Sequence, residues 1–272
     1  MASMSQPASL ASCRRRGDRL ARIIRGRGGD PMSSVSRGLV ILHEDDHLLV
    51  CVKPAGIPTA NAPRGETSLY TLARGTRSFI GVVSRIDAPV SGVVVFGKTS
   101  AAAADLAEQF RSRTVVKEYV AITEGRFPAP LEQWREWRDF LPADPRMLGF
   151  GAAGRGGAGP VGRDDDEADP EDQPGREAVA RARVVRRSGE VSLVELEPST
   201  GRKHQLRLQL ALRRCPIVGD RRYGARLPFP LGIALHARKL TIDHPSSGER
   251  LFLEAPLPLG WSDRFPALFA GG

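Results

Sequence analysis

No stretch of this 272-residue sequence keeps up the roughly 18 apolar residues that a membrane-crossing helix needs, and even the run from Pro89 to Gly97 stops at Lys98. A helical span is therefore not expected. Cysteine is scarce: Cys13, Cys51 and Cys215 are odd in number and widely separated, which excludes a disulfide framework and a thiolate zinc site and makes a reducing compartment the default. Lysine is nearly missing, with 5 Lys against 35 Arg among the 40 basic residues. That choice suits bidentate phosphate contacts, and codon bias would produce it equally well. Internal repeats are absent. The remainder is ordinary for a soluble protein, 41% hydrophobic and 26% charged, enough for one large domain or two small ones.

Charge is unevenly distributed along the chain. Residues 1–37 carry eight Arg against two Asp, and residues 161–177 carry eight acids against two Arg, so these segments cancel. Residues 178–272 hold sixteen basic residues against eight acids, which accounts for nearly all of the net +9. Clustered positive charge attracts polyanions through counterion release and long-range steering, and nucleic acid is the leading partner. A solvated basic surface is the plain alternative.

The first 37 residues mix Ser, Gly and Arg without apolar periodicity and read as a disordered basic arm. Their composition also resembles an organelle transit peptide, the alternative to a cytoplasmic location, and Met32 is a candidate start. Two strands, Leu39 to Leu42 and His47 to Val52, are expected around an acidic turn. Further β-rich runs at Val82 to Arg85 and Gly92 to Phe96 leave residue 87 in a tight connection, a favourable place for chemistry. Ser100 is the expected cap of an alanine-rich helix ending near Arg113. A strand over Val115 to Ile122 follows. Residues 149–176 gather Gly, Pro and acids and read as a flexible insert. Strands are expected over 178–186 and 191–196, then a helix around His204 to Leu212, then closing strands at Ile233 to Leu240 and Leu251 to Leu253. The class is α+β with a largely antiparallel sheet.

His43-Glu44-Asp45-Asp46-His47 fits the H-E-x-x-H pattern of zinc peptidases, but strand-like runs flank it and Asp45-Asp46 favours a turn. No metal site is assigned. Cys51 and Cys215 read as small buried residues. The stronger constellation comprises three ordered segments: Ser84-Arg85-Ile86-Asp87-Ala88-Pro89-Val90-Ser91-Gly92, Lys117-Glu118-Tyr119-Val120-Ala121, and Thr200-Gly201-Arg202-Lys203-His204-Gln205-Leu206-Arg207. Together they resemble the RluA-type RNA pseudouridine synthases. The likeness continues in Lys53-Pro54-Ala55-Gly56, in Pro216 to Asp220 with Tyr223-Gly224, and in Leu235-His236-Ala237, and it spans roughly residues 38–258. Ser84, Ile86 and Val90 depart from the family's His, Leu and Thr.

The resemblance implies the pseudouridine synthase fold, a mixed, largely antiparallel central sheet with flanking helices and a basic cleft. It implies an enzyme that breaks the N1 to C1′ bond of a uridine in structured ribosomal or transfer RNA, turns the base and rejoins C5 to C1′. No cofactor and no metal is implied. Asp87 takes the place of the family's catalytic carboxylate, which attacks C1′ or removes the C2′ proton. A carboxylate does either only when ionised, and burial opposes ionisation unless a cation lies close. The match assigns that cation to Arg207. Tyr119 matches the tyrosine that stacks on the extruded uracil and helps remove the C5 proton. Arg85 matches the motif arginine that fills the space a flipped nucleotide leaves. Arg202, Lys203, Arg213, Arg214, Arg221 and Arg222 are expected to hold phosphates along the rim of the cleft. His204 and Gln205, in the same RNA-binding segment, and also His236, are expected as hydrogen-bonding scaffold.

The expected organisation is thus an arm over 1–37, a catalytic domain over 38–260 containing the insert, and a C-terminal tail over 261–272, acting as a monomer on RNA. A catalytically silent RNA-binding or RNA-folding protein on the same scaffold is the alternative, motivated by Ser84 and Val90.

Overall fold

Strands that read as continuous apolar runs occupy the middle of the sheet, because a strand covered on both faces has no polar side to show. Leu48–Lys53 (β3) and Ser91–Gly97 (β5) are of this kind, and every residue of β5 is buried. The computed structural model describes residues 35–36, 39–127, 129–142, 144, 175–230 and 232–270. The expected arm and insert lie outside these residues, apart from residues 35–36 and 175–176. From Ser36 onward the chain forms one compact unit.

The remaining strands are Val35–Ser36 (β1), Leu39–Glu44 (β2), Gly81–Val82 (β4), Val116–Glu124 (β6), Arg135–Leu141 (β7), Arg176–Ser188 (β8), Val191–Pro198 (β9), Leu235–Asp243 (β10) and Arg250–Glu254 (β11). They pair in the order β2-β3-β5-β10-β6-β9-β8-β7, with β11 on β10 and β4 on β5. All of these pairings are antiparallel except β5 with β10. The architecture is α+β with a mixed, largely antiparallel sheet, in keeping with the class read from the sequence.

The parallel junction is brief and close. Ser91 faces His236, and Gly92 faces Ala237. Gly92 has φ +132°, and a Cβ there would lie 2.3 Å from the Ala237 carbonyl oxygen. Only glycine permits this approach. Ala237 also faces Tyr119, and Tyr119 faces Leu196, so one row crosses four strands. With strands about 4.8 Å apart, Tyr119 sits roughly 10 Å across the sheet from the start of β5.

His236 is 1% exposed, with Nδ1 2.9 Å from Ser91 Oγ. Burial pushes its imidazole down to about 4, although two backbone groups oppose the shift. The unfolded chain binds a proton near pH 6.5 that the native protein refuses until about pH 4. This contribution to stability is complete above pH 6.5 and is lost on acidification. Denaturant titrations from pH 6.5 to 4 should show a loss of up to about 3 kcal/mol that His236→Gln flattens.

Several local expectations are corrected. Val82 to Arg85 is not a strand beyond Val82; residues 83 to 90 form a loop. The helix Ser100–Ser112 is capped by Thr99, not Ser100, since the Thr99 hydroxyl accepts from the Ala102 amide. A helix over Leu69–Arg74, too short to show periodicity, is fixed by a capping box between Ser68 and Thr71. The expected C-terminal tail contains helices Gly260–Arg264 and Pro266–Phe269, whose Trp261 and Leu268 join the main core. His43 and His47 flank the β2–β3 turn, where Asp45 binds the imidazoles of His43 (2.7 Å) and His244 (3.0 Å). A turn held in this way has no helical face on which a zinc pair could form. Cys51 and Cys215 are buried, and burial pushes their thiols up to about 12 and about 11.

Candidate active site

The residue that most needs fixing, Asp87, sits in an irregular loop, so the loop must be held by something other than a ladder. Both peptide groups around it are clamped. The Thr59 hydroxyl donates to the Ile86 carbonyl (2.9 Å) and accepts from the Ile86 amide (3.2 Å). The Ala88 carbonyl accepts from the Gly56 amide (2.8 Å) and from Lys53 Nζ (3.0 Å). Downstream, the Val90 amide returns to the Asp87 carbonyl, and Ile233 donates to Pro89.

Lys53 has no exposed surface, and its ammonium also donates to Pro54 (2.8 Å) and Ile57 (2.6 Å). Burial pushes it down to about 7, and the Asp87 charge opposes that shift. Three carbonyl acceptors call for three N–H bonds, which only the protonated amine supplies. Lys53→Met would leave three carbonyls short of a donor, at about 1–3 kcal/mol for each one left unsatisfied. The expected outcome is an unfolding free energy lowered by about 3 kcal/mol in total, read by denaturant titration, together with a lower kcat, since Ala88 adjoins Asp87. A variant as stable as the wild type would remove Lys53 from this role.

Arg207 reaches Asp87 from the helix Gln205–Leu212. This helix is buried on nearly all sides, with Leu206 and Leu210 in the main core and Leu208 in a second cluster. Arg207 is 5% exposed and therefore needs partners in the interior. Its Nε and Nη2 donate to the two carboxylate oxygens of Asp220 at 2.8 and 3.0 Å, and its Nη1 donates to Asp87 Oδ2 at 3.1 Å. Burial opposes its charge, but Asp220 and then Asp87 raise its proton affinity above the usual arginine range. The guanidinium carbon also lies 4.9 Å from the centre of the Tyr223 ring. The Tyr223 hydroxyl is 2.6 Å from His204 Nδ1, and His204 Nε2 is 3.8 Å from Asp87 Oδ2. Burial pushes the Tyr223 phenol up to about 12, against the nearby Arg207 and Arg222 charges.

Asp87, Tyr119 and Arg207 line one cavity of about 450 Å³, within the range of small-molecule sites. Burial first, and the Asp87 charge second, raise the Tyr119 phenol above its ordinary value. Arg85, Arg202, His204 and Gln205 line the same cavity. A second cavity of about 630 Å³ shares the Asp87 loop and includes Lys203. His204 and Gln205 are buried; the Gln205 side chain accepts from Thr200 Oγ1 and the Arg202 amide and donates to Val179. They support the loop that presents Arg202.

The four arginines expected along the rim beyond this helix do not line either cavity. Arg213 pairs with Asp139 at 3.1 Å and stacks 4.1 Å from the Trp137 ring, which anchors the helix end to β7. Arg214, Arg221 and Arg222 are exposed elsewhere. Two residues that the wider likeness includes without a role, Asp220 and Tyr223, contact Arg207. They lie in the Pro216 to Gly224 stretch, thirteen or more positions away, with no short-range spacing that would tie them to Arg207. The departures at Ile86 and Val90 are absorbed by packing: Val90 is 2% exposed within the main core, and Ile86 packs against three clusters. Ser84 lines both cavities.

A family model described as RNA pseudouridylate synthase matches residues 47–212. The ribosomal large subunit pseudouridine synthase D of Xanthomonas campestris pv. campestris is 34% identical over 247 residues, covering 81% of this chain and 66% of that protein. The ribosomal large subunit pseudouridine synthase C of Escherichia coli is 31% identical over 240 residues, covering 81% of this chain and 67% of that protein. The chain thus spans about two thirds of the length of these relatives. Among solved structures, human RNA pseudouridylate synthase domain containing 4 superposes with a TM-score of 0.62 at 25% identity, covering 94% of this chain and 98% of that one.

Proposed function

Because the chain belongs to the RNA pseudouridylate synthase family, we propose that it isomerises uridine in RNA to pseudouridine, with Asp87 as the residue that acts on the ribose. The observation that carries this reading is a carboxylate on a doubly clamped loop, 3.1 Å from a guanidinium that a second, buried carboxylate holds at two points. A base reaching this cavity must leave its helix, since the reacting atoms of a paired nucleotide lie inside the stack.

Asp87 meets the sugar at C1′ or at the C2′ hydrogen while the N1 to C1′ bond breaks. The free uracil turns, C5 bonds to C1′, the C5 proton is removed, and N1, released from the sugar, takes up a proton, so that product and substrate are isomers. Atoms and electrons balance without an oxidant, a reductant or a second substrate. Tyr119 offers an aromatic face for the base and a phenol oxygen near C5. Arg85, exposed beside the cavity mouth, fills the place of the extruded nucleotide, while Arg202 and Lys203 bind phosphate. Arg213, Arg214, Arg221 and Arg222 carry no role in this reading. The names of the two bacterial relatives favour large-subunit ribosomal RNA as the substrate. The silent-protein alternative keeps both of its motives, Ser84 and Val90, which line the same cavity as Asp87.

The test is release of tritium from ribosomal RNA labelled at uridine C5, with chemical mapping of the modified positions. Release and a new pseudouridine at a defined position are expected. Tight binding without release from any cellular RNA pool would favour the silent protein.

A further inference from the structure

The wall of the cavity carries two cations, Lys117 and Arg113, that the motif roles leave unexplained. Lys117 lies on β6 two residues before Tyr119, so both side chains project from the same face, about 7 Å apart along the strand, comparable to the span of one nucleotide. Its ammonium is half-buried, and among the described residues its hydrogen-bond partner is the Thr200 carbonyl, at 3.4 Å. Burial, and then the charge of Arg113, lower its proton affinity. Among the described residues no carboxylate pairs with Lys117, Arg113 or Arg202, and all three line the cavity. By contrast, Lys239 in the same wall is paired with Glu118 at 3.0 Å.

The backbone carrying Arg113 is rigidly placed. Arg113 closes the helix Ser100–Ser112 in a left-handed conformation, φ +62°. Gln109 in that helix exchanges hydrogen bonds with the backbone of Asp243, and Arg250 ties the Thr114 carbonyl to Asp243. Two cations are thereby held near one another without a counter-ion, an arrangement that is unfavourable when empty and favourable once an anion arrives. The Thr200 contact brings Lys117 to the loop that presents Arg202, so the third cation belongs to the same space.

We infer that Lys117, Arg113 and Arg202 seat a phosphodiester of the RNA strand beside the extruded uridine, on the Tyr119 side of the cavity. The inference rests on the RNA reading above and adds to it the point at which the strand is gripped opposite Arg85. A seat on this wall would fix the sugar between two backbone contacts, so that C1′ meets Asp87 in one orientation.

The experiment is filter binding of a ten-residue oligouridylate over a salt series, with the full chain. Lys117→Met and Arg113→Asn should each weaken binding about tenfold at low salt and reduce the slope of log affinity against log salt by about 0.7, the value for one phosphate contact on a single strand. Lys117→Arg should keep the wild-type slope. Arg226→Ala, an exposed cation outside the cavity, should also keep it. Asn tolerates the left-handed backbone at 113, so Arg113→Asn carries the test if Lys117→Met fails to fold. Wild-type slopes in both variants, or an equal fall in Arg226→Ala, would overturn the seat. Tritium release separates the two readings: no release by the wild type together with reduced slopes in the variants sinks the isomerase and keeps the seat, whereas normal release with unchanged slopes removes the seat alone.

Discussion

Asp87→Asn is expected to lower the rate of tritium release by at least about a thousandfold while leaving the protein folded and RNA-bound. The amide occupies nearly the same volume but is neither a nucleophile nor a base, so the step at the ribose loses the only carboxylate that lines the cavity among the described residues. Fold should survive because Arg207 keeps both bonds to Asp220, and because the loop is clamped through the backbone groups of Ile86 and Ala88, not through the Asp87 side chain. Binding should hold or tighten, since a negative charge has left a cavity that faces phosphates. Single-turnover release and filter binding on the same preparation check both halves. Release within tenfold of the wild type would mean that another group performs the chemistry.

Removing Asp220 should do the opposite, damaging the fold first and the chemistry as a consequence. Asp220→Asn leaves a 5% exposed guanidinium with a single charged partner, through one nitrogen. Breaking a buried pair in this way typically costs about 3–5 kcal/mol. For a chain of this size that corresponds to a fall in Tm of about 5–15 °C. Activity should drop about a hundredfold at temperatures where the variant is still folded, because Arg207 can then swing toward Asp87 and pull it off line. Asp139→Asn is the comparison: its pair with Arg213 is part-exposed, and a loss below about 1 kcal/mol is expected there. Equal effects of the two substitutions would contradict the idea that Arg207 is held from behind.

How far the sequence discloses this arrangement depends on how local each determinant is. Asp87, Tyr119 and Arg207 sit in dense motifs, and the structure brings all three to one cavity. The central strands announce themselves because β3 and β5 are apolar on both faces. Arg213, Arg214, Arg221 and Arg222 lie outside both cavities, and a basic residue next to a basic motif carries no sign of whether it lines the same space. The pairing of Asp220 with Arg207 was not legible either, because pairing across a loop leaves no periodic trace. Lys53 carries the same lesson. A lysine at the end of an apolar strand reads as a solvated terminus, yet it is turned inward by three carbonyls that belong to loops. Thr99 and Ser100 are both good caps, and only the geometry of the first turn chooses between them.

The close junction of β5 with β10 also sets a timetable for synthesis. Ser91 and His236 are 145 residues apart in the chain, and Arg207 and Asp220 likewise follow long after Asp87. A growing polypeptide that has released its first hundred residues from the ribosome carries the acid but not the strand against which its loop is seated. On the reading proposed above, the acid therefore gains its partners only after the segments carrying Arg207 and β10 have been made, a delay written into the topology itself.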